Sequence, residues 1–235
     1  MANHIGCSGW SYAHWAARFY KGVPQKGWLE FYTKHFDTVE LNMSFYRWPS
    51  KTMIENWLSR TPKNFLFTVK ANREITHYMK FNNTQEIVTK FYKLLDNFEE
   101  KLGCILWQLP PSFKFDEQKL KDVTSQLDKN YRNVVEFRHK SWWNESTYEQ
   151  LKKHDIILCT VGAPKIPMEF IKTADDVYVR MHGSEWYKNL YSKEELEECA
   201  KQIKKLKPKN TWGYFDNDEN AYAVQNALEL KEILG

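Results

Sequence analysis

The sequence contains little that marks the common cofactor- and metal-binding classes. Its nine glycines form neither a G-x-G-x-x-G fingerprint nor a P-loop, so a dinucleotide-binding Rossmann domain is not indicated. Its four cysteines form no C-x-x-C pair and no spacing typical of metal ligands. No apolar run approaches the roughly 18 residues of a membrane helix, and no signal peptide is recognised. These absences predict a protein of the reducing cytoplasm without a membrane partner.

The positive charge is also small. A net charge of +4 is low for a dedicated duplex-DNA binder, and the basic run at 201–209 is typical of the solvated C-terminal end of a helix. RNA or DNA is therefore a less favoured partner. Aromatic residues make up 16% of the chain, which suits core packing but also surfaces that stack sugars or bases.

The order of apolar patterns predicts the fold. Eight short strand-like runs occur at 5–8, 38–42, 65–70, 104–109, 133–138, 156–161, 177–182 and 211–216. Helical patterns lie between most of them, at 28–36, 51–59, 84–102, 117–127, 146–153, 192–206 and 220–233, whereas the proline-containing link after the sixth run has only a short possible helix. Strands alternating with helices pair in parallel, and eight such units predict one α/β domain over residues 1–235, a closed (β/α)₈ TIM barrel.

Four of the strand patterns are polar on one face, which is unusual for parallel strands buried on both faces. Side chains two residues apart point the same way, and helices cover the outside of a barrel. The polar faces are therefore expected inside, near the C-terminal mouth where barrel enzymes place their chemistry. They comprise Thr38, Glu40 and Asn42; Thr68 and Lys70; Glu136 and Arg138; and Tyr178, Arg180 and His182.

These inward charges have a structural alternative. A buried charge is costly unless it is paired. Glu136 can neutralise Arg138, and Glu40 can pair with Lys70, in an ion network that has no catalytic role.

Long motifs run from about residue 4 to the end of the chain. They are G-C-S-G-W-S-Y at 6–12, F-D-T-V-E-L-N-M-S-F-Y-R at 36–47, I-T-H at 75–77, Q-L-P-P-S-F at 108–113, E-F-R at 136–138 and Y-V-R-M-H-G at 178–183. They resemble the YecE-like family, also called domain of unknown function 72. The resemblance implies a TIM barrel and no particular reaction. Cys7 stands where Thr is common, and the segment after His77 departs from the usual one.

Four inward side chains are predicted to be catalytic, namely Glu40, Lys70, Glu136 and His182. The two carboxylates suit general acid–base catalysis, because burial raises and a nearby cation lowers a carboxyl pKa. An imidazole titrates near neutral pH.

The cations at the strand ends favour an anionic substrate, because the planar arginine fork matches carboxylate and phosphate. The predicted partner is a small phosphorylated or carboxylated molecule, and one form of this hypothesis is a sugar-like molecule. The residues predicted to bind it are Ser8, Asn42, Arg47, Arg73, Gln108, Arg138, Tyr178, Arg180, Asp216 and Asn217.

No cofactor is predicted. A divalent metal is conceivable on His77, Glu40, Glu136, His182 and Asp216, but no local spacing supports one and the neighbouring cations oppose it.

Three classes of function therefore stay open. The first is an acid–base hydrolase, lyase or isomerase acting on a small anionic substrate. The second is an RNA-processing or repair factor, and the third is a metabolite-binding protein without catalysis. The oligomeric state is open as well.

Overall fold

The computed structural model describes residues 2–235, and one sheet of eight parallel strands forms its centre. The order along the sheet is β1-β8-β7-β6-β5-β4-β3-β2, so sequence neighbours pair and the curved sheet is a nearly closed TIM barrel, as predicted. The strands are β1 (Ala2–Cys7), β2 (Thr38–Leu41), β3 (Leu66–Lys70), β4 (Leu102–Gln108), β5 (Asn133–Glu136), β6 (Ile157–Gly162), β7 (Val177–Met181) and β8 (Asn210–Phe215).

Helices cover the outside of the sheet. They are α1 (Trp28–Tyr32), α2 (Met43–Tyr46), α3 (Lys51–Ser59), α4 (Gln85–Leu95), α5 (Glu117–Thr124), α6 (Glu145–Lys153), α7 (Lys193–Lys205) and α8 (Tyr222–Leu234). Ser192 caps α7 in the capping box that its sequence predicts. None of the helices within residues 2–235 is long and apolar enough to cross a membrane.

Two predicted helices end differently in the structure. The pattern at 84–102 divides into α4 and a 3₁₀ segment (Asp96–Lys101), where Glu99 has a positive φ of 52° that an α-helix does not accept. The link after β6 contains no helix at all over residues 163–176. Pro164 and Pro167 explain this, because proline lacks the N–H that helix propagation needs.

One junction of the barrel has no backbone pairing. Strands β1 and β2 are the two ends of the hydrogen-bonded sheet. They lie side by side, but no backbone ladder pairs one with the other within residues 2–235. Tyr32 bridges the gap: its hydroxyl accepts a hydrogen bond from Cys7 N at 2.8 Å and donates one to Thr38 O at 3.1 Å. Gly6 allows the close approach, since a Cβ there would lie 2.5 Å from the Thr38 carbonyl oxygen.

The barrel interior changes character along its axis. At the N-terminal end His4 stacks on Trp212, with ring centroids 4.4 Å apart. In the middle the Tyr214 hydroxyl bonds the hydroxyls of Thr38 (2.7 Å) and Thr68 (2.8 Å). At the C-terminal end the interior is charged, and the inward direction predicted for the polar strand faces is confirmed there.

Candidate functional site

Seven charged or titratable side chains meet at the C-terminal mouth of the barrel. They come from five strand ends, because alternate residues of each strand point inward. We call them the charged ring: Glu40, Lys70, Glu136, Arg138, Arg180, His182 and Asp216.

Arg180 is the centre of the ring and is 0% exposed. Nε and Nη2 bond Glu40 at 3.0 and 2.7 Å, and Nη2 also bonds Asp216 at 3.2 Å. Nη1 bonds Glu136 at 2.8 Å and His182 Nε2 at 3.1 Å. All five N–H groups of the guanidinium are used. Arg180 therefore has no donor left for a substrate unless one of these bonds breaks.

Glu40 is held as firmly. Besides both contacts from Arg180, its oxygens accept hydrogen bonds from Ser8 Oγ at 2.8 Å and Tyr178 OH at 2.5 Å. The expected Glu40–Lys70 pair is wrong, because Arg180 offers a bidentate match that a lysine cannot.

Glu136 pairs with Arg138, as the structural alternative predicts, and also with Arg180. Burial opposes ionisation of this carboxyl, but the two guanidiniums outweigh burial and hold its pKa well below the usual range. Glu136 is thus a carboxylate at any ordinary pH.

His182 is neutral in this setting. Burial, followed by the charges of Arg180 and Arg138, lowers its pKa well below the usual value. Both arginines donate to Nε2, at 3.1 and 2.9 Å, so the ring proton belongs on Nδ1. Nδ1 lies 3.1 Å from Asp216 Oδ2, but off the direction of a hydrogen bond. His182 is an acceptor that orients the two guanidiniums.

Lys70 differs from every other cation of the ring. Among residues 2–235 no oxygen accepts a hydrogen bond from its Nζ, which lies 4.3 Å from the centre of the Phe45 ring. Burial and the nearby charge of Arg180 lower the pKa of Lys70 to about 8. At pH 7 roughly a tenth of this amine is therefore unprotonated, which is far more than for an ordinary lysine.

His77 borders Lys70 across the same Phe45 ring, at a centroid distance of 4.8 Å. Burial and the charges of Lys70 and Arg138 lower the pKa of His77 to about 4, so it too is neutral. Its Nδ1 shares a hydrogen bond of 2.9 Å with Thr76 Oγ1.

Arg138 keeps free donors. Nε bonds Glu136 and Nη2 bonds His182 at 2.9 Å, whereas Nη1 has no partner among residues 2–235. Its guanidinium lies 4.8 Å from the Trp186 ring, and Trp186 is 38% exposed. Arg138 is thus the guanidinium of the ring that a ligand can reach once Trp186 moves.

Trp186 belongs to the mouth loop, residues 183–191, which follows β7. Gly183 begins the loop with φ +90°, and a Cβ there would lie 2.5 Å from Asn189 Oδ1. The end of the loop is fixed to α8, since Asn226 bonds both the N and the O of Tyr191 at 3.0 Å. The loop thus has firm ends and an exposed aromatic tip over the ring.

The carboxylates surround a guanidinium and leave no evident metal site. Within residues 2–235 no group of three His, Cys, Asp or Glu side chains is arranged to hold a metal ion. Asp216 contacts Arg180 and His182, and burial raises its pKa above the usual value.

The remaining predicted residues divide into two groups. Ser8 and Tyr178 support Glu40, and Asn42 donates to Ser8 O at 3.3 Å, while Gln108 lies half-buried at the end of β4. Three others lie outside the ring. Arg47 is exposed against Met53, Arg73 lies between the exposed rings of Tyr46 and Tyr78, and Asn217 bonds Asn189 O and Asn226.

The sequence argument missed Trp186 at the mouth and Tyr214 in the middle of the barrel. Trp186 lies in a loop without a periodic pattern, and only its position three residues after Gly183 hints at a role. Tyr214 was not among the predicted residues, because the sequence left open whether Asp216 or Asn217 points inward and so did not fix the inward face of β8.

An apolar cavity of about 420 Å³ lies at the C-terminal ends of β1 and β2, and no side chain of the charged ring lines it. It is lined by Trp10, Tyr12, Asn42, Met43 and Trp57, among others, and Asn42 connects it to the ring through Ser8. Cavities of about 590 and 630 Å³ lie elsewhere and contain none of the predicted site residues. Of these three cavities, the one of about 420 Å³ is lined by a predicted site residue, Asn42.

The chain resembles known proteins along its whole length. A family model described as "Protein of unknown function DUF72" matches residues 4–235. UPF0759 protein YunF of Bacillus subtilis is 27% identical over 98% of this chain and 94% of its own length. UPF0759 protein YecE of Escherichia coli K12 is 27% identical over 77% and 74%. The crystal structure of a DUF72 family protein from Thermotoga maritima superimposes with a TM-score of 0.91 at 32% identity, covering 100% of this chain and 99% of that one.

Proposed function

This chain belongs to the DUF72 family, whose description names no reaction, and from the chemistry of the site we propose that it is an enzyme. The proposed enzyme binds a small carboxylated or phosphorylated substrate at the barrel mouth and uses Lys70 for acid–base chemistry. The substrate is anionic because the reachable groups are cations. The reaction class is that of an acid–base hydrolase, lyase or isomerase.

The unpartnered amine of Lys70 is the observation that carries the proposal. A purely structural network pairs its charges, since a buried unpaired charge destabilises the fold. Here the other two cations are paired and Lys70 is not. A lysine whose pKa lies near 8 can both accept and donate a proton at neutral pH, which is the condition for efficient general acid–base catalysis.

Arg138 is proposed to bind the anionic group. Its Nη1 faces no protein acceptor, and it is held in place by Glu136 and His182. A guanidinium with fixed orientation loses little conformational entropy on binding a carboxylate or phosphate.

The predicted catalytic roles of Glu40 and Glu136 become positioning roles in this proposal. Both are 0% exposed and accept strong hydrogen bonds from guanidiniums, so both are occupied within the ring. Glu136 holds Arg138 directly, and Arg180 and Arg138 together hold His182. His182 keeps its predicted place beside the substrate, as a neutral acceptor for Arg138.

Ligand-dependent melting tests the proposal. Inorganic phosphate, sugar phosphates and small organic acids are added to the wild type, to Arg138→Gln and to Arg132→Gln. Arg132 is a matched control, because it also pairs with a carboxylate and lies on a tryptophan, but at the opposite end of the barrel. A ligand at about a hundred times its dissociation constant stabilises the fold by about 2.7 kcal/mol.

The expected result is a melting shift with one class of anion that Arg138→Gln loses and Arg132→Gln keeps. A shift that survives Arg138→Gln would contradict the assignment of Arg138. A turnover assay on the ligands that bind then separates an enzyme from a non-catalytic metabolite-binding protein, and Lys70→Met should abolish turnover while leaving the melting shift.

A nucleic-acid-binding function is the second candidate. The exposed rings of Tyr46 (65%) and Tyr78 (67%) flank Arg73, with each ring centre 5.5 Å from the guanidinium. Exposed aromatics next to arginine suit base stacking. Binding of short RNA that weakens steeply with salt, and that Tyr46→Ala reduces, would favour this function over the first.

A further inference from the structure

We propose that Lys70 is a nucleophile that condenses with the carbonyl group of a 2-oxo acid or related carbonyl anion to form a Schiff base. The inference rests on the proposed function, because it specifies the substrate class and the chemistry of the same mouth. It adds a covalent step that proton transfer alone does not require.

The environment of Nζ favours attack on carbon. An amine that is hydrogen-bonded to oxygens has its lone pair or its protons engaged, whereas Lys70 Nζ lies against the face of Phe45 with no such partner among residues 2–235. Apolar burial and an adjacent cation are the two conditions that activate a lysine for Schiff-base formation. Arg180, fixed by carboxylates on three sides, supplies the adjacent cation.

Lys101 shows what an inert partly buried lysine looks like in the same molecule. Its Nζ donates to Leu58 O at 2.9 Å, to Thr61 O at 2.8 Å and to Thr61 Oγ1 at 3.0 Å. All three ammonium protons are engaged there, so the lone pair needed for attack is not available. Lys70 has no such acceptors among residues 2–235, so we expect Lys70, and not Lys101, to react with a carbonyl compound.

The charge balance of the ring is compatible with the step. Glu40, Glu136 and Asp216 carry three negative charges when ionised, and the two guanidiniums with the Lys70 ammonium carry three positive charges. An iminium keeps the positive charge on nitrogen, so condensation does not leave a buried carboxylate without a counter-charge.

The reaction balances without an oxidant or reductant. The Lys70 ammonium first releases a proton to solvent. The free amine then attacks the carbonyl carbon, a C–N bond forms as the C=O π bond breaks, and a proton moves from nitrogen to oxygen to give a neutral carbinolamine. The hydroxyl takes back one proton from solvent and leaves as water while the C=N bond forms. In total, the Lys70 ammonium and the carbonyl compound give an iminium and one water. Arg138 binds the carboxylate next to the carbonyl and so directs the carbonyl carbon toward Lys70.

Reductive trapping tests the inference. The full-length protein is incubated with pyruvate, or with acetaldehyde as a carbonyl lacking the carboxylate, in the presence of cyanoborohydride. Modified lysines are then located by peptide mass spectrometry. Lys119 is the matched control, since its Nζ also lies over a phenylalanine, 5.6 Å from the Phe113 ring, but on an exposed helix.

Pyruvate should label Lys70 at least about tenfold faster than Lys119, because a pKa near 8 raises the fraction of free amine more than about a hundredfold over an ordinary lysine. Labelling at this site should disappear in Lys70→Arg and persist in Lys119→Arg. Arg138→Gln should slow labelling by pyruvate much more than labelling by acetaldehyde. Melting curves of each variant establish that it is folded.

Each failure has its own meaning. Equal labelling of Lys70 and Lys119 in a protein that is still stabilised by anions through Arg138 overturns the Schiff base and leaves the anion site standing. Fast labelling of Lys70 by both carbonyls with no effect of Arg138→Gln supports the nucleophile but overturns recognition of the carboxylate, and with it the proposed function.

Discussion

The two ends of β5 carry the same three kinds of side chain in two different settings. Before β5, Arg132 pairs with Asp176 at 3.0 Å and lies 5.1 Å from the Trp212 ring. After β5, Arg138 pairs with Glu136 and lies 4.8 Å from the Trp186 ring. We call Arg132, Asp176 and Trp212, at the N-terminal end of the barrel, the lower trio. We call Arg138, Glu136 and Trp186, at the C-terminal mouth, the upper trio.

The lower trio is a closed structural unit. Trp212 is 1% exposed and donates its indole N–H to Asp176 at 3.0 Å, and Asn210 N donates to the same carboxylate. The arginine of the ion pair faces solvent, with its side chain 40% exposed, whereas the Asp176 side chain is 7% exposed. Every member is fixed by a strand or the end of one.

In the upper trio the arginine is buried and the tryptophan is exposed, the opposite of the lower trio. Its ion pair is buried, with Arg138 6% and Glu136 0% exposed, while its tryptophan lies on a loop and is 38% exposed. A buried charge pair beside a movable aromatic cover fits a binding site, whereas a fixed tryptophan with an outer charge pair fits a barrel floor. The same residue types therefore do not indicate the same role.

Removing the buried arginine at the upper end should have the largest effect. Arg180→Met leaves Glu40 and Glu136 buried with reduced compensation, so we expect the free energy of unfolding to fall by about 3–5 kcal/mol. Arg132→Met should cost only about 1 kcal/mol, because Arg132 is 40% exposed and Asp176 keeps its hydrogen bonds from Asn210 and Trp212. Urea denaturation of both variants measures the difference, and equal losses would remove the distinction between the two ends.

Lys70 should produce a pH effect that the lower end lacks. Its folded pKa of about 8 lies below the ordinary 10.5, so between these values the unfolded chain holds a proton that the folded chain has released. The contribution of Lys70 to the free energy of unfolding therefore increases with pH across this window, by about 3 kcal/mol. Burial and Arg180 lower the pKa, and Glu136, Glu40 and Asp216 oppose them.

The measurement is the difference between wild type and Lys70→Met in denaturation at several pH values. Taking the difference cancels the tyrosines and cysteines that titrate in the same range. The difference should widen in favour of the wild type as the pH rises from about 8 to about 10.5. A difference that is flat with pH would mean that Lys70 is solvated like a surface lysine.

The two tryptophans should show the contrast most directly, with the smallest effect expected at Trp186. Trp186→Ala removes an exposed side chain and one cation–π contact, so we expect it to change the free energy of unfolding by less than about 1 kcal/mol. Trp212→Ala should cost about 3–5 kcal/mol by leaving a cavity. Trp186→Ala should also speed the labelling of Lys70, since it uncovers the mouth. Large destabilisation by Trp186→Ala would make the mouth loop a structural element instead of a cover.

Much of the site could be predicted from strand alternation alone. Glu40, Lys70, Glu136, Arg138, Arg180 and His182 are all assigned to the interior by a period of two, and the structure brings them together. Arg47, Arg73 and Asn217 lie in segments after the strands, where no period determines direction. Their charge or polarity made them candidates, but only the path of each loop decides what they contact.

The sequence by itself determined the class of fold, the inward faces of four strands and six of the seven members of the ring, because these follow from local periodicity and from the order of elements. The inward direction of Asp216 and, beyond the Glu136–Arg138 pair, the pairing within the ring were decided only by the tertiary structure. Arg180 takes Glu40 because β2 and β7 project onto the same central axis from opposite parts of the barrel, and this leaves Lys70 without a partner. Which charge remains unpaired depends on distances across the barrel, and local sequence carries no record of those distances.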